Sequence, residues 1–137
     1  MELRFPPSAG HVRTARLVAV AVARRAGFDA ARLDELRTAV GEACARAVNR
    51  CLEDGCAEDI LLGIEDAGPG LTVEVLDGAA PVTPDDPLAI ALLQGLADAV
   101  EVLPGKGGPA GLIRLEWWQS GSTASPPVQP RGPVGGS

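Results

Sequence analysis

The side chains in this chain best placed to do chemistry together lie on one long helical pattern: Glu35, Thr38, Glu42, Arg46 and Asn49. At helical spacing they gather into a polar seam, separate from the buried stripe of the same segment. Glu42 and Arg46 stand four apart with the acid first, the favourable order for a helical ion pair worth about 0.2–0.5 kcal/mol. Arg13, Arg16 and Arg24 fall within about 80° of one another on an earlier helical pattern. Such a face is either solvated charge or a docking face for an acidic partner. Cys44, Cys51 and Cys56 are odd in number and lack the paired spacing of a zinc site. Cys44 and Cys51, seven apart, share a helical face. They read as small buried side chains in a reducing compartment, with a metal or redox role as the alternative. His11 falls at a helix start, a polar terminus position rather than a ligand.

Several elements must position these residues. Glu2-Leu3-Arg4-Phe5 alternates polar and apolar and stops at Pro6-Pro7, as a short half-buried strand does. Ser8 is placed to cap a first helix with its stripe at Val12, Ala15, Val18, Ala19, Val22, Ala23 and Ala26, ending at Gly27. Asp29 then caps a longer helix buried along Leu33, Leu36, Val40, Ala43, Ala47 and Cys51, which Gly55 ends. Two alternating segments follow, Ile60/Leu62/Ile64 and Leu71/Val73/Val75. Gly68-Pro69-Gly70 lies between them, so together they read as a hairpin. Pro84-Asp85-Asp86-Pro87 opens a third helix of about Leu88 to Ala97. Val100 and Val102 mark a strand, and a Gly/Pro-rich turn from Pro104 to Gly111 leads to a last strand, Leu112 to Trp118. The order β-α-α-β-β-α-β-β, with every strand alternating, predicts an α+β two-layer sandwich. In it a mostly antiparallel sheet is covered on one face by three helices.

Length and composition bound the rest. At 137 residues, 46% hydrophobic and 22% charged, the chain makes one globular domain. We place it at residues 1–118, followed by a disordered Gly/Pro/Ser-rich tail at 119–137. A net charge of −6 argues against nucleic-acid binding. No apolar run reaches the length of a membrane span. Charge near the N-terminus, where an apolar signal core would begin, predicts a cytoplasmic protein.

Four stretches, in order, carry a resemblance. Ala39-Val40-Gly41-Glu42-Ala43-Cys44-Ala45-Arg46-Ala47-Val48 resembles the N-box helix of the anti-sigma factors related to RsbW and SpoIIAB, serine-kinase-like members of the GHKL ATPase superfamily. Val73-Glu74-Val75-Leu76-Asp77-Gly78 is similar to the strand entering the G1 box. Leu88 to Val102 resembles the G2 helix and the strand after it. His11-Val12-Arg13-Thr14-Ala15-Arg16 opens the first helix much as in actinobacterial members, and the composition suits a GC-rich genome.

The resemblance implies an ATP pocket on the helix-covered side of the sheet. There Glu42 would activate a hydroxyl, an Asn one turn later would hold magnesium, and Asp77 would read the adenine amino group. Glycine turns would bring backbone amides to the phosphates. This chain departs from that set. Arg46 stands where the Asn belongs, and a guanidinium has no acceptor for a cation. Asn49 lies some 5 Å further along the helix, too far to substitute. The G1 pattern survives only as Asp77-Gly78, and Pro87-Leu88-Ala89-Ile90 replaces the G2 glycines. About ten residues separate Asp77 from the third helix, too few for a long lid. Asp66-Ala67-Gly68-Pro69-Gly70 fits the G1 pattern letter for letter, but it precedes the strand that should lead into the box and reads as a hairpin turn.

The expectation is a degenerate anti-sigma factor acting by partner switching, needing no cofactor or metal. It would bind a sigma factor or a STAS-domain anti-anti-sigma protein through its first helix, with the arginines at 13, 16 and 24, and the sheet edge, with Glu42, Arg46, Asp77 and Gly78 forming a degenerate ATP pocket. Homodimerisation is implied by the resemblance. The alternatives are an active ATP- and magnesium-dependent serine kinase with Glu42 as base, and a sensor whose remodelled pocket takes another small molecule.

Overall fold

The computed structural model describes residues 1–80, 87–105 and 108–119. Five strands, β1 (Glu2–Phe5), β2 (Ile60–Asp66), β3 (Gly70–Leu76), β4 (Ala99–Gly105) and β5 (Gly108–Trp118), form one sheet in the order β1-β2-β3-β5-β4. All four strand pairings are antiparallel. Helices α1 (Val12–Arg25), α2 (Ala30–Asp54) and α3 (Pro87–Leu96) lie against it, with one 3-10 turn, Ala9–His11, before α1. The expected order and layering are both present.

The alternation explains why one face is dry. Ile60, Leu62, Ile64, Leu71, Val73, Val75, Ile113, Leu115 and Trp117 are all buried on the helix side. The opposite face is wet: Arg114 reaches Glu74 (2.7 Å) and Glu101 (3.1 Å) on the strands either side of it. Against the dry face α2 buries its predicted stripe and also Ala39, Cys44 and Val48, a band too wide for a surface helix. It is the central helix, packed between α1 and α3. Trp117 donates its indole N–H to the Leu96 carbonyl at 3.0 Å, fastening the end of α3 to the sheet.

Both ends of α2 follow from local chemistry. The Asp29 side chain accepts the Arg32 amide at 3.0 Å. Asp29→Ala removes this cap and is expected to cost about 1 kcal/mol, read as a lower urea midpoint at unchanged slope. At the other end Gly55 takes φ +72°, a left-handed conformation that costs glycine little. The Cys56 amide then reaches back to the Cys51 carbonyl at 2.9 Å and the Gly55 amide to Leu52 at 3.4 Å. This is a Schellman motif, whose first and last residues bring their side chains together.

Three expectations need adjustment. Ser8 precedes the 3-10 turn and makes no side-chain cap, so α1 starts at Val12 with His11 before it. The segment read as a Gly/Pro turn is mostly strand: β4 runs to Gly105 and β5 begins at Gly108, with a register irregularity at Leu103/Gly105. Proline is compatible with this because β4 is an edge strand. Gln119, placed in the tail, donates its amide to Pro69 O at 2.9 Å and its side chain to Ala26 O. The Pro84–Asp86 helix opening, the length of the lid segment and the tail beyond 119 lie outside the described residues.

Candidate functional site

The C-terminal half of α2 faces the turn that leaves β3. On consecutive turns it presents Glu42, Arg46, Arg50 and Asp54, four residues apart each time. Asp77, one residue past β3, is 1% exposed. Its Oδ2 accepts Arg50 Nε at 3.0 Å, and its Oδ1 accepts the Ala79 amide at 3.0 Å. The Ala80 amide in turn donates to Asp54 Oδ2 at 3.1 Å. The Asp77–Ala80 turn is thus strapped along the last turns of α2 by two side chains of that helix.

Burial of Arg46 and Arg50 (4% and 2% exposed) reverses the usual placement of arginine. Desolvating each ion costs several kcal/mol, which only a close, hydrogen-bonded counter-charge offsets. Asp77 is that counter-charge for Arg50, and the Arg46 charge acts on it too. Burial pushes the Asp77 carboxyl above its ordinary value. The Ala79 amide, then the Arg50 guanidinium, then Arg46 oppose that rise. Chemically, the arrangement holds a carboxylate fixed and dry, with both oxygens engaged by the protein itself.

Of the predicted pocket residues, Arg46, Asp77 and Gly78 come together, and Glu42 lies half-buried one turn before Arg46 on the same helix. Gly78 sits beneath the Glu58 carboxylate and 3.3 Å, measured from where a Cβ would stand, from Cys56 Sγ. Asn49, on the same seam, is exposed. The residue missed by sequence reading is Arg50. Its signal was the unbroken four-residue ladder from Glu42, hidden because an arginine beside buried Cys51 looks like the edge of a solvated face. The Asp66–Gly70 segment is the β2–β3 turn, with Asp66 Oδ1 accepting the Gly68 amide at 3.1 Å.

The three predicted docking arginines also converge, with one addition. Arg13, Arg16 and Arg24 of α1 and Arg37 of α2 line a hollow of about 330 Å³ around Leu17 and Val20. Leu17, in its lining, is 62% exposed. Arg37 is held by Asp34 at 3.1 Å. Arg16 is not a free surface charge: its stem crosses α2 so closely that a Cβ on Gly41 would lie 2.8 Å from Arg16 Cδ. Glycine at 41, next to Glu42, is what lets the two helices meet there.

Residues 5–117 match the family described as the histidine kinase-like ATPase domain. The serine-protein kinase RsbW of Oceanobacillus iheyensis is 27% identical over 122 residues, covering 74% of this chain and 77% of that protein. The crystal structure of the RsbU and RsbW domains of Rv1364c from Mycobacterium tuberculosis superposes with a TM-score of 0.69 at 15% identity. That match covers 86% of this chain and spans about a third (32%) of the solved one. No helix among the described residues is long and apolar enough to cross a membrane, and no group of three or more candidate ligands for a metal occurs among them. With the sandwich, the α2 seam and the Asp77 turn in the order that the family requires, the chain belongs to the histidine kinase-like ATPase domain family as an RsbW-like member.

Proposed function

We propose that this chain is an anti-sigma-type regulator that works by exchanging protein partners and neither binds ATP nor transfers phosphate. Its partners on this reading are a sigma factor and a STAS-domain anti-anti-sigma protein, held on the basic hollow of α1. The observation that carries the reading is the state of Asp77. The carboxylate that would read adenine is buried and hydrogen bonded by Arg50 and the Ala79 amide. Arg46 meanwhile occupies the turn after Glu42, where a cation would need an oxygen ligand. This donor set does not fit a magnesium nucleotide.

The hollow supplies the binding half. Four guanidinia around an exposed leucine, on a chain of net charge −6, match an acidic surface with an apolar anchor.

A second reading, an active serine kinase with Glu42 as base, is favoured by the half-buried Glu42 and by a relative that carries that activity in its name. Isothermal titration with ATP and magnesium separates the two. We expect no heat of binding up to millimolar nucleotide; a micromolar Kd would overturn the first reading and establish the second.

A further inference from the structure

The Schellman motif that ends α2 places cysteines at both of its contacting positions. The Cys56 amide donates to the Cys51 carbonyl at 2.9 Å. That bond draws the two residues together at the helix end, where a disulfide needs Cα atoms roughly 4.4–6.8 Å apart. The Cys56 thiol raises and the Gly78 amide lowers the Cys51 thiol's pKa, and a Cβ on Gly78 would lie 3.3 Å from Cys56 Sγ. Their exposure differs: Cys51 is fully buried, Cys56 half-buried at the surface. Cys44, in contrast, is sealed in the core two turns earlier on the same helix, with Arg16 as its charged neighbour.

We propose that Cys51 and Cys56 are a peroxide-oxidisable dithiol that closes to a reversible disulfide across the end of α2, against Gly78. The inference stands apart from the partner-switching reading and does not need it. Cys56 is the sulfur that a peroxide reaches. Its thiolate attacks the O–O bond, forming S–O and releasing hydroxide, which takes up a proton to leave as water. The Cys51 sulfur then displaces the second oxygen from Cys56, forming S–S and breaking S–O. The Cys51 proton passes to the departing hydroxide as a second water. Two thiols are oxidised and one peroxide is reduced. Burial pushes the Cys51 thiol up to about 12, which keeps it protonated and leaves the more open Cys56 as the sulfur oxidised first.

The test uses the full chain, reduced, treated with hydrogen peroxide and then blocked with N-ethylmaleimide. Trypsin cuts after Arg50 and next at Lys106, leaving Cys51 and Cys56 on one peptide and Cys44 on another. The peptide holding Cys51 and Cys56 should lose two hydrogens and take no maleimide, and dithiothreitol should reverse both changes. The Cys44 peptide should be unchanged. Closing so short a loop should raise the thermal midpoint by about 5–10 °C. Cys56→Ser should abolish the loss of hydrogens and Cys44→Ser should preserve it. Cys51→Ala should leave a Cys56 sulfenic acid that dimedone captures. Cys56 driven to sulfinic acid while Cys51 remains a free thiol would overturn the proposal. So would dimers linked through Cys56, or a peptide that peroxide leaves unaltered.

Discussion

Arg50→Met should destabilise the protein by about 3–5 kcal/mol at neutral pH, because it leaves the Asp77 carboxylate buried without its counter-ion. Methionine keeps most of the volume, so the loss is electrostatic rather than a cavity. The pH dependence identifies the cause. Burial already raises Asp77, and removing the guanidinium that opposes the rise lifts it further. A carboxyl raised in the folded state contributes stability that is complete below its unfolded value and lost as pH climbs through the folded one. The deficit of Arg50→Met should therefore shrink as pH falls toward 4, where a protonated Asp77 needs no partner. A second control is the double change Arg50→Met with Asp77→Leu, which removes both charges and should recover most of the loss. Urea denaturation of the wild type and the two variants across pH measures all of this. A cost under about 1 kcal/mol that is flat with pH would mean that the pair does not govern this corner of the fold.

Arg13→Glu combined with Arg24→Glu should weaken partner binding on the order of 100-fold or more, if the hollow is where partners dock. Reversing a charge removes an attraction and adds a repulsion, and about 1.4 kcal/mol corresponds to each tenfold. Arg16 is left intact, since its stem fills the space over Gly41. Affinity for a partner recovered with the wild-type chain should also become less sensitive to salt. Circular dichroism and thermal midpoint should stay close to wild type, because Arg13 and Arg24 are exposed. Affinity kept within threefold would place the docking surface elsewhere.

What could be read from the sequence was whatever is settled locally. Asp29 and Gly55 delimit α2 because a cap and a left-handed residue act within one turn. Ile60, Leu62 and Ile64 fall on one face because strand geometry leaves no other choice. The family was legible because Glu42, Asp77 and the helix from Leu88 keep their order. Arg50 was not, since its burial depends on Asp77, a residue remote in sequence that only the fold brings near. Arg37 joins the basic hollow for the same kind of reason: its place was decided by how α1 packs on α2. Pro104 misled in the opposite direction, because turn chemistry is overridden where an edge strand leaves an amide unneeded.

The chain has two tryptophans and no tyrosine. Trp117 is fully buried with its indole on the Leu96 carbonyl, while Trp118, next to it, is partly open and its carbonyl accepts Arg32 at 3.2 Å. Ultraviolet emission from this molecule therefore originates at one junction, where the last strand, the end of α3 and the start of α2 come together. The protein carries its own optical gauge of that junction, and no dye is needed to watch it loosen.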